Sequence, residues 1–219
     1  MCAIVRDELK NPAGGIERFI QSYIPFVDNA IIVDTGSIDG TREKLDELSS
    51  QYDNLYIFDR KFKGYADARN YSLEKARTKW ILCLDVDELI TSENPENSWR
   101  DIKLTLKENS DSEVFKLDIL NLYPDGNFGN VPCWKYRLFK NKKELKFFNN
   151  IWESLNTDSY AKFLSNVKVY HFLPSREALS KKNYDWSNAT NNFRKNNSPS
   201  KVSGFQEWKE YNPQRDNYF

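Results

Sequence analysis

The sequence predicts an α/β fold with a largely parallel sheet in its first half. Short apolar runs alternate there with amphipathic segments that have helical spacing. Polar, glycine-bearing loops follow several of the runs, and one run ends abruptly in three carboxylates. A β-α-β-α order of this kind is typical of doubly wound sheets, because each helix returns the chain to start the next parallel strand.

The elements of the first half follow from these patterns. Strands are predicted over residues 2–5, 30–33, 55–58 and 80–84, and helices over 16–26, 41–52 and 66–77. The first helix carries apolar residues at Ile16, Phe19, Ile20 and Tyr23, which share one face. Thr41 is the predicted N-cap of the second helix. This half is therefore predicted to form the parallel layer.

The second half has a different pattern. A surface helix is predicted over 95–108 and strands near 114–119, 133–139 and 167–172, with a turn at 124–127. These strands predict a smaller antiparallel part. From Pro174 the chain is polar, with a possible helix over 176–195 and a tail over 196–219. We therefore expect a single domain over 1–195.

Composition excludes several classes of protein. The 219 residues contain 32 Lys and Arg and 32 Asp and Glu, so no global basic charge favours nucleic acid. No apolar stretch approaches the length of a membrane span. Cys2, Cys83 and Cys133 fit neither a disulfide framework nor a zinc site, and free thiols favour a reducing compartment such as the cytoplasm. Cys83 is most simply a core residue.

The apolar run that ends at Asp85, Asp87 and Glu88 is the strongest functional signal. In open α/β sheets, ligands bind just beyond the carboxyl ends of the strands. Strand alternation would place Asp85 and Asp87 on one side, where two hard oxygen ligands suit Mg²⁺ or Mn²⁺ holding a diphosphate. The alternative is a solvated acidic turn after a core strand.

Two further segments carry polar residues that could bind a ligand, one after a strand and one at the start of a helix. Asp34, Gly36 and Ser37 follow the second strand, where glycine allows close backbone approach and short polar side chains can bind ribose or base. The alternative is a simple turn before a helix. Asp67 and Arg69 open the third helix, and Arg69 could reach a base or phosphate. Its alternative is a surface ion pair with Asp67.

Taken together, these residues resemble the family 2 glycosyltransferases with the GT-A fold (a Rossmann-like, mostly parallel sheet flanked by helices). The resemblance covers about the first 90 residues and is carried by segments 2–8, 31–41, 66–70 and 80–88. It implies that residues 1–90 bind a nucleotide-diphosphate sugar, most simply a UDP-sugar, and that 91–195 bind a glycan, lipid or protein acceptor. It also implies an Asp85-Val86-Asp87 "DxD" motif that binds Mn²⁺ or Mg²⁺. The implied nucleotide contacts are Val5, Arg6, Asp34, Gly36, Ser37, Asp67, Arg69, Asp85 and Val86.

The resemblance also assigns roles in the second half. Family members with this loop often continue with a Trp, an Arg-Leu-Phe segment and a His-Glu pair; here Trp134, residues 137–139 and Trp152-Glu153 stand at those places. Trp152 departs from the usual His. Glu153 is the implied base that takes the acceptor proton in an inverting transfer, with Asp125 as a weaker rival. His171 is implied to complete the metal site, although a structural role is the alternative.

Two other functions fit parts of the sequence. A phosphatase of the haloacid dehalogenase type also has an Asp-x-Asp at a strand end, but on its first strand and followed by Thr or Val. Here the motif ends the fourth strand and Glu88 follows it. A non-catalytic module that binds a sugar nucleotide or glycan is the other alternative.

Overall fold

The computed structural model describes residues 1–9, 11, 15–91, 95–128, 133–149, 153–157 and 160–174. Met1–Leu173 form one compact unit. The predicted helix over 176–195, the tail and the domain boundary at 195 lie outside the described residues. None of the helices in the described part is long and apolar enough to cross a bilayer.

The element order of the first half is the predicted alternation. The strands are β1 Cys2–Val5, β2 Ala30–Asp34, β3 Leu55–Asp59, β4 Trp80–Leu82, β5 Glu88–Thr91, β6 Val114–Leu122, β7 Cys133–Lys140, β8 Phe147–Phe148, β9 Ser154–Leu155 and β10 Lys162–Phe172. The helices are α1 Ile16–Tyr23, α2 Thr41–Ser49, α3 Tyr65–Lys75 and α4 Pro95–Glu108, and a short 3-10 turn, Ile24–Phe26, follows α1.

Several helix boundaries differ from the predictions. The helix α2 ends at Ser49 and not near residue 52, and α3 spans Tyr65–Lys75 and not 66–77. The α-helix α1 ends at Tyr23. Ile24 keeps helical backbone angles, but Pro25 has no N–H to donate to the carbonyl four residues before it, and the chain continues as the 3-10 turn. Thr41 is the first residue of α2 and not its N-cap; Gly40 occupies the cap position with φ 98°. The Thr41 hydroxyl donates to Asp39 Oδ1 at 2.6 Å and accepts from the backbone N–H of Leu9 at 3.1 Å. It therefore ties two loops together.

The strands form a parallel sheet and a mixed sheet that meet along β1 and β4. The parallel sheet has the order β1-β2-β3, and the mixed sheet has the order β4-β7-β6-β10-β5, in which only β6 and β10 are parallel. A single parallel bridge between Cys2 and Cys83 joins them, and Leu84 N–H donates to the Cys2 carbonyl at 3.2 Å. The carboxyl ends of β1 and β2 lie at one edge, with Val5 beside Asp34, and the chain that leaves β4 runs parallel to β1 toward that edge.

Both faces of the parallel sheet are covered, which accounts for its uninterrupted apolar strands. Ala30 and Ile32 pack in the core that includes α1 and α2. Ile31 and Cys83 pack in a second core on the other face, with Ala66 of α3. The prediction that Cys83 is a core residue is confirmed, since its side chain is fully buried.

Three elements of the second half bear on the site. Strand β5 is absent from the sequence-based prediction, and β10 pairs with both β5 and β6, so that His171 lies in register with Glu88 and Asn121. The β8–β9 hairpin is likewise unpredicted. The Asn70 side chain of α3 exchanges two hydrogen bonds of 2.8 Å with the backbone of Phe147 in β8. These contacts hold the hairpin against α3.

Candidate functional site

The acidic segment after β4 forms a tight turn. The Glu88 N–H donates to the Asp85 carbonyl at 3.0 Å, and Glu88 Oε2 accepts the Asp85 N–H at 3.1 Å. The predicted strand alternation therefore ends before Asp85, and Asp85 and Asp87 contact different partners. Val86, between them, is buried in the hydrophobic core, so only its backbone is available to a ligand.

Asp85 is clamped by two buried arginines. Oδ1 accepts a hydrogen bond from Nη2 of Arg69, and Oδ2 accepts one from Nη2 of Arg137 at 2.7 Å. Burial alone would raise the pKa of Asp85, but the charges of Arg137 and Arg69 outweigh it and hold that pKa well below its usual range. Both carboxylate oxygens are engaged by cations here, so this arrangement offers no free ligand pair at Asp85.

Arg137 and Glu88 join the site, although the sequence places each of them only within a motif and assigns a role to neither. Glu88 is 1% exposed, and its Oε1 accepts a hydrogen bond from Nη2 of Arg137. Lys135 Nζ lies 4.0 Å from the same oxygen. A buried, charged glutamate destabilises the fold unless a positive charge lies beside it. Charged residues at 135 and 137, in an otherwise apolar and aromatic strand, were the available signal for one.

Asp87 and His171 form the second part of the site. Nε2 of His171 lies 3.6 Å from Oδ2 of Asp87, and its Nδ1 is 2.9 Å from Oδ1 of Asn121. Oδ1 of Asp87 is buried and has no hydrogen-bond partner in the described part of the chain. Of the predicted metal ligands, the fold thus brings Asp87 and His171 together. No group of three or more His, Cys, Asp or Glu side chains among the described residues is placed to hold a metal ion.

The loop after β2 is organised by Asp34. Oδ1 accepts hydrogen bonds from the backbone N–H groups of Gly36, at 2.7 Å, and Ser37, at 2.8 Å. Asp34 is 3% exposed, and its Oδ2 is buried without a partner in the described residues. Gly36 has φ 106°, a conformation that favours glycine. This loop therefore leaves one unpaired carboxylate oxygen at the strand end.

The loop after β1 is tied to the loop after β2. The Ser37 hydroxyl accepts the N–H of Asp7 at 3.0 Å, and Asp7 Oδ1 accepts the N–H of Ile38 at 2.7 Å. The Val5 carbonyl accepts both the N–H and the hydroxyl of Thr35, so its backbone oxygen is already engaged. The Arg6 side chain is 55% exposed, 3.7 Å from Asp7. The predicted residues of the two loops thus lie together.

Arg69 and Asp67 differ in their surroundings. Asp67 accepts two hydrogen bonds from Arg60, at 3.1 and 2.9 Å, so the alternative of a surface pair between Asp67 and Arg69 is wrong. Successive turns of α3 place Arg69 on the buried face instead, and it is 3% exposed. Burial opposes its charge, but nearby negative charge outweighs this, that of Asp85 most and that of Glu153 among the others, and raises the pKa of Arg69 well above its ordinary value.

Glu153 is held at the same cluster by the β8–β9 hairpin. Its Oε1 accepts a hydrogen bond of 2.7 Å from Nε of Arg69, and its side chain is 17% exposed. The Arg69 guanidinium also lies 5.5 Å from the ring centre of Phe147. Trp152 lies outside the described residues. The predicted base is thus next to the predicted donor residues, and its rival Asp125 is exposed in a turn, accepting the N–H of Asn127.

Comparison with known proteins places this geometry in a family. Residues 10–103 match the model of glycosyl transferase family 2. A TPR repeat-containing protein of Synechococcus elongatus is 30% identical over 148 residues, which are 67% of this chain and 32% of the relative. The SPbeta prophage-derived glycosyltransferase SunS of Bacillus subtilis is 24% identical over 188 residues, 83% of this chain and 42% of the relative. The chain therefore spans well under half of these relatives.

Solved structures show the same fold. Residues 1–349 of S. aureus TarS in complex with UDP-GlcNAc superpose with a TM-score of 0.54 and 16% identity, covering 78% of this chain and 58% of that one. GalNAc-T7 with UDP, GalNAc and Mn²⁺ gives a TM-score of 0.51 and 13% identity, covering 80% of this chain and 44% of that one. The predicted GT-A architecture is confirmed.

Proposed function

Because the chain is a member of glycosyl transferase family 2, matched over residues 10–103, we propose that it transfers a sugar from a nucleotide-diphosphate donor to an acceptor hydroxyl. The observation that carries the proposal concerns two buried carboxylate oxygens, Asp34 Oδ2 and Asp87 Oδ1, which follow β2 and β4 and have no hydrogen-bond partner among the described residues. A buried acceptor without a donor is costly. An N–H group of a bound ligand would pair with the oxygen of Asp34, and a bound cation would pair with the oxygen of Asp87.

The Asp87–His171 pair fits a divalent cation. If Nδ1 of His171 donates to Asn121 Oδ1, its Nε2 carries a lone pair that faces a carboxylate oxygen 3.6 Å away. Two facing acceptors need a cation between them or a proton on the imidazole. Carboxylate and imidazole together favour Mn²⁺ over Mg²⁺. A cation held by Asp87 and His171 would neutralise charge on the leaving diphosphate.

The loop after β2 fits a uracil base. Asp34 uses Oδ1 to hold its own loop, so one oxygen remains to accept the N3–H of uracil. The structures of TarS with UDP-GlcNAc and of GalNAc-T7 with UDP and Mn²⁺ support a UDP-sugar donor. The exposed Arg6 and the backbone around Gly36 and Val86 lie at the same edge and complete the proposed nucleotide site.

Glu153 is the proposed general base for an inverting transfer. It lies beside Arg69, which contacts Asp85 as well, and its side chain remains partly exposed. A base must reach the acceptor hydroxyl while lying close to the donor. The assignment is supported by the partial exposure of Glu153 and by its contact with Arg69. Acceptor recognition is assigned to the second half of the chain, where the Trp134 and Trp152 side chains remain candidates for stacking against a sugar.

Calorimetry followed by an activity assay tests the proposal. We expect UDP to bind more tightly than GDP, CDP or dTDP in Mn²⁺, and EDTA to weaken that binding. Hydrolysis of a UDP-sugar then separates an enzyme from a non-catalytic binding module, which would bind the donor without releasing UDP. Failure of all four nucleotides to bind, with or without Mn²⁺, would contradict the proposal.

A further inference from the structure

A bulge in β7 brings Arg137 to the end of β4. Along β7, Leu138 pairs with Phe115 and Tyr136 pairs with Lys116, so Arg137 is an extra residue with no partner on β6. Its carbonyl instead accepts the N–H of Cys83 at 2.8 Å. Bulges redirect a side chain and are common beside functional sites. Here the redirected side chain is a guanidinium, and the backbone of Arg137 is bound to Cys83, two residues before the acidic turn begins.

Arg137 holds both ends of that turn. One nitrogen, Nη2, contacts Oδ2 of Asp85 and Oε1 of Glu88. Glu88 in turn binds the Asp85 backbone N–H through its other oxygen. Arg137 is 4% exposed and Glu88 1% exposed, so these charges are removed from water together. Lys135 is 4.0 Å from Glu88 and is half-exposed, so it does not duplicate the contact with Asp85.

We propose that Arg137 is a positioning residue of the donor site, which acts by fixing the Asp85–Glu88 turn so that Asp87 faces His171. Asp87 lies inside this turn, and its carbonyl accepts the N–H of Phe172, the residue after His171. A turn released from Arg137 changes where the Asp87 carboxylate lies relative to the imidazole. Among the described residues, the hydrogen bonds of the Arg137 side chain go to Asp85 and Glu88 and not to Asp87 or His171. The ligand-binding part of this inference rests on the proposed function.

Arg137→Lys is the variant that tests the inference. It keeps the positive charge, but an ammonium on a shorter, unforked side chain does not reproduce the contacts with Asp85 and Glu88. We expect the affinity for UDP in Mn²⁺, measured by calorimetry, to fall about 10–100-fold, as is typical for partners of ligand-binding groups. We also expect faster hydrogen exchange of the backbone amides at 85–88 in the ligand-free protein.

Arg42→Lys is the matched control. Arg42 also pairs with two carboxylates, Asp46 and Asp59, but does so on the surface of α2. The Arg42→Lys variant should have the wild-type affinity for UDP and the wild-type rate of hydrogen exchange at the backbone amides of 85–88. If Arg137→Lys does not fold, Glu88→Gln is tested instead. The amide retains an acceptor for the Asp85 N–H but has no charge to pair with Arg137. Lower affinity for UDP and faster exchange of the 85–88 amides are again expected.

Two results would overturn the inference: wild-type affinity for UDP and Mn²⁺ in the folded variant, or unchanged exchange of the 85–88 amides. A wild-type protein that does not bind UDP contradicts the proposed donor and not the role of Arg137. In that case the exchange of the 85–88 amides decides the inference alone, because it is measured without ligand.

Discussion

The Nε of Arg69 donates a hydrogen bond of 2.7 Å to Oε1 of Glu153, although 84 positions separate the two residues. The same guanidinium binds Asp85 through Nη2. The buried guanidinium of Arg69 therefore connects the segment after β4 to the β8–β9 hairpin. It also connects the proposed donor site to the proposed base. A residue in this position supports the fold as well as the site.

Replacing Arg69 by Met is expected to reduce both stability and donor binding. The sequence alone predicts that loss of Arg69 weakens nucleotide binding without unfolding the protein, but the structure places Arg69 between two carboxylates at 3% exposure. Removing one partner of a buried ion pair typically costs about 3–5 kcal/mol. Urea denaturation measures the loss.

Arg60→Met is the control for Arg69→Met. Arg60 also pairs with a carboxylate, that of Asp67, but both side chains are about one-third exposed. Exposed pairs contribute little to stability, so this variant should denature near the wild-type urea concentration. Equal losses in both variants would show that the buried position of Arg69 has no special energetic role.

Replacing Glu153 by Gln is expected to abolish transfer and preserve donor binding. The amide keeps an acceptor for Arg69 Nε but takes up no proton, so a base loses turnover and not ground-state affinity. UDP-sugar turnover should fall about 10²–10⁴-fold, while calorimetry gives nearly unchanged UDP affinity. Turnover close to the wild-type rate would place the base elsewhere, with Asp125 the next carboxylate to test.

Replacing Asp87 by Asn should remove the contribution of Mn²⁺ to UDP binding. Asp87 Oδ1 is unpartnered and Oδ2 faces His171, so this carboxylate is the expected cation ligand. Calorimetric titrations of UDP with Mn²⁺ and with EDTA should then give similar, weak affinities. The exposed turn variant Asp125→Asn should keep the wild-type difference, and a persistent Mn²⁺ effect in the Asp87 variant would rule out this ligand assignment.

Asp85→Asn should change how stability depends on pH. Arg137 and Arg69 hold the pKa of Asp85 well below its usual range despite burial, so in the wild type this group stabilises the fold above its unfolded pKa of about 3.9. That contribution is lost as the pH falls through the lower folded pKa. Melting temperatures measured from pH 7 down to pH 3 test the effect.

The Asp85→Asn variant should melt below the wild type at pH 7, and the gap should narrow as the acid limit is approached. Asp125→Asn, which retains an acceptor for the Asn127 N–H in an exposed turn, should follow the wild-type curve. A gap that stays constant down to the acid limit would show that the charge of Asp85 is not what stabilises the turn.

The sequence by itself determined the alternating strands and helices of the first half. Buried strands such as β2 are apolar up to their last residue, Asp34, and helices such as α1 repeat their apolar residues every three to four positions, so local patterns are sufficient. The acidic segment at Asp85, just after β4, and the loop at Asp34 could be located in the same way. Their chemistry is visible locally because a charged residue abruptly ends an apolar run.

Tertiary structure alone decided how those residues are used. The pairing of Asp85 with Arg137 spans 52 positions and depends on a bulge in β7 that the sequence pattern does not reveal. Glu153 meets Arg69 through a two-residue hairpin strand, and His171 meets Asp87 through the register of β10 with β5. A buried charge is stable only beside its counter-charge, and which counter-charge lies beside it is set by strand register and packing, not by local sequence.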